Sequence, residues 1–217
     1  MLATAVALAL PLTVAMVHYA WVEVYSVLGL LGWVVVRRTH PRWAVSFLAF
    51  SLAIVPTILI ALVVPAVWFR SARRDIIVAV ALAALFTLPF ALFTGLGAFY
   101  RDIIGVQVSL GFRYDGLTLD AAWYALAGHI PSVWLTLTTG LIFALVVVRG
   151  APRDTSDVLL KSAMLATGAF LLSKWAFLNY YYIPAWLLIL AIASRGIPWD
   201  AQVANARPLD AVTRIPA

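Results

Sequence analysis

The chain has 217 residues, of which 65% are hydrophobic and 11% are charged, whereas soluble domains average about 45–50% apolar and about 25% charged residues. So few polar side chains cannot cover a surface in water, and the composition therefore excludes a water-soluble fold and predicts an integral membrane protein. The net charge of +6 is then expected to reflect basic loops on the cytoplasmic side of a membrane, and not nucleic acid binding.

Long apolar runs predict the membrane segments in chain order. A helix needs about 20 apolar residues to span the hydrocarbon core, so residues 1–36 are long enough for two helices, divided near Glu23. The runs that follow are residues 43–69, residues 76–99, residues 121–148 with a break at 129–131, and residues 158–195 with a turn at 174–182. We therefore predict an all-α fold, a polytopic transmembrane helix bundle of about 5–7 segments. Residues 1–195 would form a single transmembrane domain, and residues 196–217 a polar, loosely ordered cytoplasmic tail.

The basic residues indicate how the segments are oriented. The chain has 15 lysines and arginines, and all but Arg101, Arg113 and Lys174 fall into four clusters. The clusters are Arg37, Arg38 and Arg42; Arg70, Arg73 and Arg74; Arg149, Arg153 and Lys161; and Arg195, Arg207 and Arg214. Because basic loops are retained on the cytoplasmic side, we expect a multi-pass protein of the plasma membrane with these clusters and the C-terminus inside the cell.

One apolar run, residues 43–69, has a basic cluster at each end. If both clusters are cytoplasmic, this run enters and leaves on the same face, as a re-entrant hairpin of short helices that turns near Pro56. Trp43 and Trp68 would then both lie at the inner interface. The alternative is a single kinked span with Arg70 and its neighbours on the outer face.

The polar loop at residues 100–119 is the first candidate site. Ile103, Ile104, Val106 and Val108 suit an amphipathic segment on the membrane surface. Arg101 and Arg113 would then face the headgroup layer, where a forked guanidinium suits a phosphate. The alternative is that Arg101 only pairs with Asp102 and Arg113 with Asp115, while Asp115 and Thr118 cap the next helix.

A lysine among aromatic residues marks the second candidate site. Lys174 is flanked by apolar residues and followed by Asn179 and three tyrosines, and an ionisable group in a membrane segment is a functional hypothesis by default. The alternative is a lysine that extends to the outer interface beside an aromatic belt. Lys161, near the inner surface, is expected to extend to that surface, and His129 is expected to satisfy a helix break.

Three groups of residues carry a resemblance to a known family. The first is residues 63–70, followed by 88–90 and 99–102; the second is Gln107 with residues 112–118; the third is Lys174, Phe177, Asn179, Tyr180 and Tyr181. Together they resemble the C-terminal half of bacterial multi-pass membrane glycosyltransferases of the GT-C type, which use polyprenyl-phosphate sugars. Residues 54–57 lack the lysine that such enzymes often carry in their re-entrant hairpin.

The resemblance implies an outward-facing site for a lipid-linked sugar, with substrate-binding residues Arg101, Arg113, Asp115, Lys174, Asn179 and Tyr180. Family members carry their catalytic acid in a loop after their first helix, so we expect this acid to be absent from the present chain and supplied from elsewhere. No catalytic residue is identified, and neither a metal nor a cofactor is expected, since the chain has no cysteine and three histidines.

The expected partners are membrane lipids, a polyprenyl-phosphate sugar and other membrane subunits. The alternative function is a non-enzymatic subunit or scaffold of a larger membrane complex.

Overall fold

The computed structural model describes residues 22–101, 105, 112–113, 115–173 and 176–199. The secondary structure of these residues is helical, which confirms the predicted all-α fold. The helices are α1 (Glu23–Val36), α2 (Pro41–Ile54), α3 (Leu59–Trp68), α4 (Arg70–Thr94), α5 (Leu96–Tyr100), α6 (Leu119–Ala127), α7 (Val133–Val148), α8 (Thr155–Leu171) and α9 (Tyr182–Ala193). Short 3-10 turns at Pro56–Ile58 and Leu178–Tyr181 precede α3 and α9. The first predicted span, before Glu23, and the tail from residue 200 onward lie outside the described residues.

Local chemistry explains most of the helix boundaries. Proline at position 41 begins α2, where its missing N–H costs nothing. The helix ends at Ile54, and the next residue, Val55, lies outside the helical region at φ −134° and ψ 89°, as a following proline favours. Thr118 caps α6 by accepting a hydrogen bond from the Ala121 N–H, and Gly128 ends the same helix in the left-handed region at φ 72°.

The core is built mainly from α1, α2, α3, α4, α8 and α9. Helices α1 and α2 form an antiparallel pair, α4 packs on α2, and α3 and α9 both pack on α8. Fully buried side chains at this core include Trp33, Leu48, Ile58, Ile183 and Leu187. Helices α5, α6 and α7 lie at the periphery and leave most of their apolar side chains exposed.

Several helix ends meet at one side of the molecule, which we call the basic end. It contains the last residues of α1, α3, α7 and α9 and the first residues of α2, α4 and α8. Three hydrogen bonds join these ends: Arg37 Nη2 to Ser71 Oγ at 3.1 Å, Trp68 Nε1 to Val148 O at 3.1 Å, and Thr155 N to Ile197 O at 2.8 Å. The start of α2 and the end of α3 therefore lie at the same end, and the chain reverses direction around Pro56.

Only α4 among the described helices is both long and apolar enough to cross a membrane by length and composition. It has 25 residues, whereas the shorter apolar helices have 10–17, fewer than the roughly 20 residues that a full span requires.

Candidate functional site

The end of the molecule opposite the basic end brings the second and third resemblance segments together. The Leu117 N–H donates to the Ala176 carbonyl at 2.7 Å, and the Tyr181 hydroxyl donates a short hydrogen bond to the Leu117 carbonyl. Two segments about 60 residues apart in the chain are thus joined through the backbone of Leu117. We call this region the Leu117 junction.

At the Leu117 junction, Arg113 is held by Asp115. Arg113 Nε donates to Asp115 Oδ1 at 2.8 Å and Arg113 Nη2 to Oδ2 at 2.7 Å, so both donors on one side of the guanidinium fork are used. The Arg113 hydrogen bonds lower the pKa of the Asp115 carboxyl below its usual range. The Arg113 guanidinium carbon also lies 5.1 Å from the Phe177 ring centroid. The pairing that the sequence offered as the alternative to phosphate binding is therefore present, in an exposed position that a ligand can reach.

Asn179 is positioned by a residue far away in the chain. Its Nδ2 donates to Glu23 Oε1 at 2.5 Å, and Glu23 is buried in the first turn of α1. The sequence grouped Asn179 with Lys174 in the second candidate site, and Lys174 lies outside the described residues. Tyr180 is half-buried, with its ring centroid 5.4 Å from that of Phe170. Asn179 and Tyr180 are thus anchored to α1 and α8 respectively.

Arg101 is not brought to the Leu117 junction by any described contact. It is exposed and follows α5 directly, and the described residues include no hydrogen bond or ion pair between it and Arg113 or Asn179. Asp102, its alternative partner, and Gln107 lie outside the described residues, as does the segment that was predicted to be amphipathic.

The neighbouring polar residues have identifiable structural roles. Thr118 caps α6 as proposed, and Asp120 accepts a 3.4 Å hydrogen bond from Thr136 Oγ1. His129 Nδ1 lies 3.0 Å from the Ala127 carbonyl, at the break between α6 and α7 where it was expected to act. At the basic end, Lys161 Nζ donates to the carbonyls of Arg149 at 3.1 Å and Gly150 at 2.6 Å, so it satisfies the end of α7.

An apolar groove starts beside the Leu117 junction and runs between α7 and α8. Its volume is about 330 Å³, and Leu119 lies next to the Thr118 cap at its edge. Phe143 and Gly168 form part of its wall, and Thr139 and Thr167 contribute two hydroxyl groups. The groove is large enough and apolar enough to hold part of a hydrocarbon chain.

Sequence reasoning missed a buried cluster at the basic end. Arg37 and Asp75 have side chains only 6% and 5% exposed, with Arg37 Nη2 3.9 Å from Asp75 Oδ2. Trp33 Nε1 donates to the same oxygen at 3.3 Å, and the Arg37 guanidinium carbon lies 4.4 Å from the centroid of the Trp199 ring. The sequence contains a signal for this cluster. Asp75 is an acid directly after a basic cluster and before a long apolar run, where a carboxylate needs a cation.

No group of three or more histidine, cysteine, aspartate or glutamate side chains that could hold a metal ion occurs within the described part of the chain.

Comparisons with protein-family models, curated proteins and solved structures found no match to the chain.

Proposed function

We propose that this chain is a multi-pass protein of the plasma membrane with its basic end in the cytoplasm. Large apolar side chains on its periphery support this proposal, since Phe93 is 94% exposed, Leu126 90% and Trp134 75%. Such a surface promotes association in water but suits contact with lipid. The reversal around Pro56 supports a re-entrant hairpin at residues 43–69, because both of its ends lie beside basic clusters.

We further propose that the Leu117 junction binds the phosphate of a polyprenyl-phosphate sugar, as the resemblance to GT-C glycosyltransferases implies. The observation that carries the proposal is the hydrogen bond between Leu117 and Ala176, which joins the two polar resemblance segments at one place. Arg113 would bind the phosphate through its guanidinium. Asp115 accepts hydrogen bonds from two of the Arg113 guanidinium donors, so the carboxylate and the phosphate would have to share these donors.

The apolar groove between α7 and α8 would hold the part of the isoprenoid chain nearest the phosphate. Leu119 at its edge is only six positions from Arg113 in the chain. Asn179 and Tyr180, with Lys174 beside them in sequence, would line the polar side of the same site. The catalytic acid would come from outside this chain.

A second candidate function is that of a non-enzymatic membrane subunit. A specific observation favours it: each described carboxylate at this end already accepts a hydrogen bond. Glu23 accepts from Asn179, Asp115 from Arg113 and Asp120 from Thr136. These hydrogen bonds give each carboxylate a role in the fold, which a non-enzymatic subunit also requires.

Substitutions at Arg113 test the proposed site through binding of undecaprenyl phosphate to the purified protein. We expect Arg113→Lys to weaken binding about tenfold, because lysine keeps the charge but loses the forked donors. We expect Asp115→Asn to tighten binding, because it removes the anion that competes for the same guanidinium. Arg42→Lys, an exposed arginine at the basic end, serves as the matched control and should bind like the parent.

A melting curve for each variant separates binding from folding. If Arg113→Lys and Arg113→Ala lose thermal stability equally while binding is unchanged, Arg113 has a structural role. If neither the parent nor any folded variant binds undecaprenyl phosphate, the result would favour the non-enzymatic subunit.

A further inference from the structure

A second cavity lies at the basic end, between α1 and the helices α8 and α9. Its volume is about 310 Å³. Helix α1 and the turn before α9 are joined at their other ends by the Glu23–Asn179 hydrogen bond, whereas here they leave a gap. The walls are mainly apolar: Val34, Val35, Leu159, Leu190, Ala193 and Ile197.

The polar groups around this cavity are mostly hydrogen-bond donors. Arg37 and Arg38 both line it. Arg37 is engaged with Asp75 and Ser71, whereas Arg38 is exposed and forms no hydrogen bond or ion pair with any described residue. The buried indole of Trp199 also lines the cavity, and its Nε1 has no hydrogen-bond partner within the described ranges. The Arg38 guanidinium is therefore available to an acceptor, whereas the Trp199 N–H is enclosed by its neighbours.

The charge around the cavity is positive. Asp75 is the carboxylate nearest to Arg37, and it also lies 3.8 Å from Arg74, so one acid is shared by two arginines. Asp154, at the start of α8, accepts the N–H groups of Asp157 and Gly196, both at 2.9 Å, and does not line the cavity. Arg38 thus adds a positive charge that no described carboxylate balances.

We propose that this cavity binds an anionic glycerophospholipid of the cytoplasmic leaflet. The phosphate would bind Arg38, and one acyl chain would lie against Val35, Leu159 and Leu190. Basic pockets between membrane helices on the cytoplasmic side suit such headgroups. The proposal rests on the membrane orientation given under Proposed function but not on the polyprenyl-phosphate site, which lies at the other end of the molecule.

The test uses the full-length protein purified in detergent, with phosphatidylglycerol and phosphatidylcholine as probes and native mass spectrometry as the measurement. We expect phosphatidylglycerol to bind more tightly, and Arg38→Gln to weaken its binding about fivefold, the effect of one arginine near a headgroup. Val35→Trp should weaken binding of both lipids by filling the apolar part. Glycerol phosphate, which lacks acyl chains, should not bind at the same concentrations.

Arg42→Gln is the matched control, since Arg42 is an exposed arginine at the same end that does not line the cavity. If Arg42→Gln and Arg38→Gln weaken phosphatidylglycerol binding equally, the effect is one of overall charge, and the proposed site is contradicted. Unchanged lipid binding in Val35→Trp would also contradict the proposed site. Lipid binding that appears only after residues 201–217 are removed would contradict it as well, because the tail would then be the occupant. If Arg38→Gln fails to fold, Arg38→Lys replaces it and should retain the preference for phosphatidylglycerol.

Undecaprenyl phosphate binding is measured in parallel and distinguishes the two proposals. Arg38→Gln should leave it unchanged, and Arg113→Lys should leave phosphatidylglycerol binding unchanged. Loss of both activities in either variant would contradict the separation of the sites.

Discussion

At the scale of single residues, Asp154 connects two parts of the basic end. Its side chain caps α8 by accepting the Asp157 N–H, and it also accepts the Gly196 N–H from beyond α9. These backbone donors lower the pKa of the Asp154 carboxyl, with the Asp157 N–H as the largest cause. One carboxylate thus stabilises both the start of α8 and the chain after α9.

The lowered pKa of Asp154 predicts a pH-dependent contribution to stability. The charged side chain stabilises the fold above the ordinary aspartate pKa of about 3.9, and this contribution is lost as the pH falls through the lower folded-state pKa. We expect Asp154→Ala to reduce the free energy of unfolding by about 1 kcal/mol at pH 7. The difference from the parent should shrink at about pH 3, as measured by melting curves at the two pH values.

Asp154→Asn is the control for this prediction, because asparagine keeps an acceptor oxygen but does not titrate. Its stability should depend less on pH than that of the parent in the same range. A parent–alanine difference that is equal at both pH values would show that the charge of Asp154 does not contribute.

At the scale of helices, α1 and α2 pack closely because small residues face each other. Ser26 Oγ donates to the Ser51 carbonyl at 3.0 Å, and Ser51 Oγ donates to the Ser26 carbonyl at 2.6 Å. One turn further along α1, a Cβ at Gly29 would lie 2.7 Å from the Phe47 carbonyl oxygen and 2.9 Å from Ser51 Cβ. Small residues and reciprocal hydroxyl bonds are the means by which helices associate closely in lipid.

This packing predicts that Gly29→Ala is destabilising. The added methyl group meets backbone that cannot move without separating α1 from α2, so we expect a loss of about 1–3 kcal/mol in the free energy of unfolding. Gly97→Ala is the matched control, since a Cβ there has no neighbour within 4 Å. Melting temperatures measure both, and equal effects of the two substitutions would contradict close packing at Gly29.

At the scale of the whole molecule, the two ends differ in charge. All four basic clusters have a described member at the basic end: Arg37, Arg70 and Arg149 lie there, and Arg195 follows the end of α9. The opposite end contains the Leu117 junction and the Glu23–Asn179 pair. The proposed membrane orientation relies on this division, because basic loops are retained on the cytoplasmic side.

Single cysteines in this cysteine-free chain test that orientation. Thr39, Arg70 and Ala151 are exposed at the basic end, and Leu117 is exposed at the other. Arg70 is chosen to represent the second basic cluster because its neighbour Ala72 is buried and would not be labelled. An impermeant maleimide applied to intact cells should label Leu117→Cys but not Thr39→Cys, Arg70→Cys or Ala151→Cys.

All four cysteines should be labelled once the cells are permeabilised, which controls for accessibility. Labelling of Arg70→Cys with protection of Thr39→Cys in intact cells would rule out the re-entrant hairpin. A single kinked span over residues 43–69 would then be the better description.

The sequence by itself determined the helical class and most helix boundaries. Apolar runs, Pro56, Thr118 and the break around His129 act on neighbouring backbone, so their effects are readable from local order. The same holds for the pairing of Arg113 with Asp115, which are two positions apart and were proposed as partners.

Only the tertiary structure decided which distant residues meet. Glu23 and Asn179 are 156 positions apart, and Trp33 and Asp75 are 42 apart. No spacing rule connects such pairs, because they depend on which helix faces pack together, and in a chain that is 65% hydrophobic nearly every face is apolar. The packing of the helices therefore decides which polar groups meet in this protein.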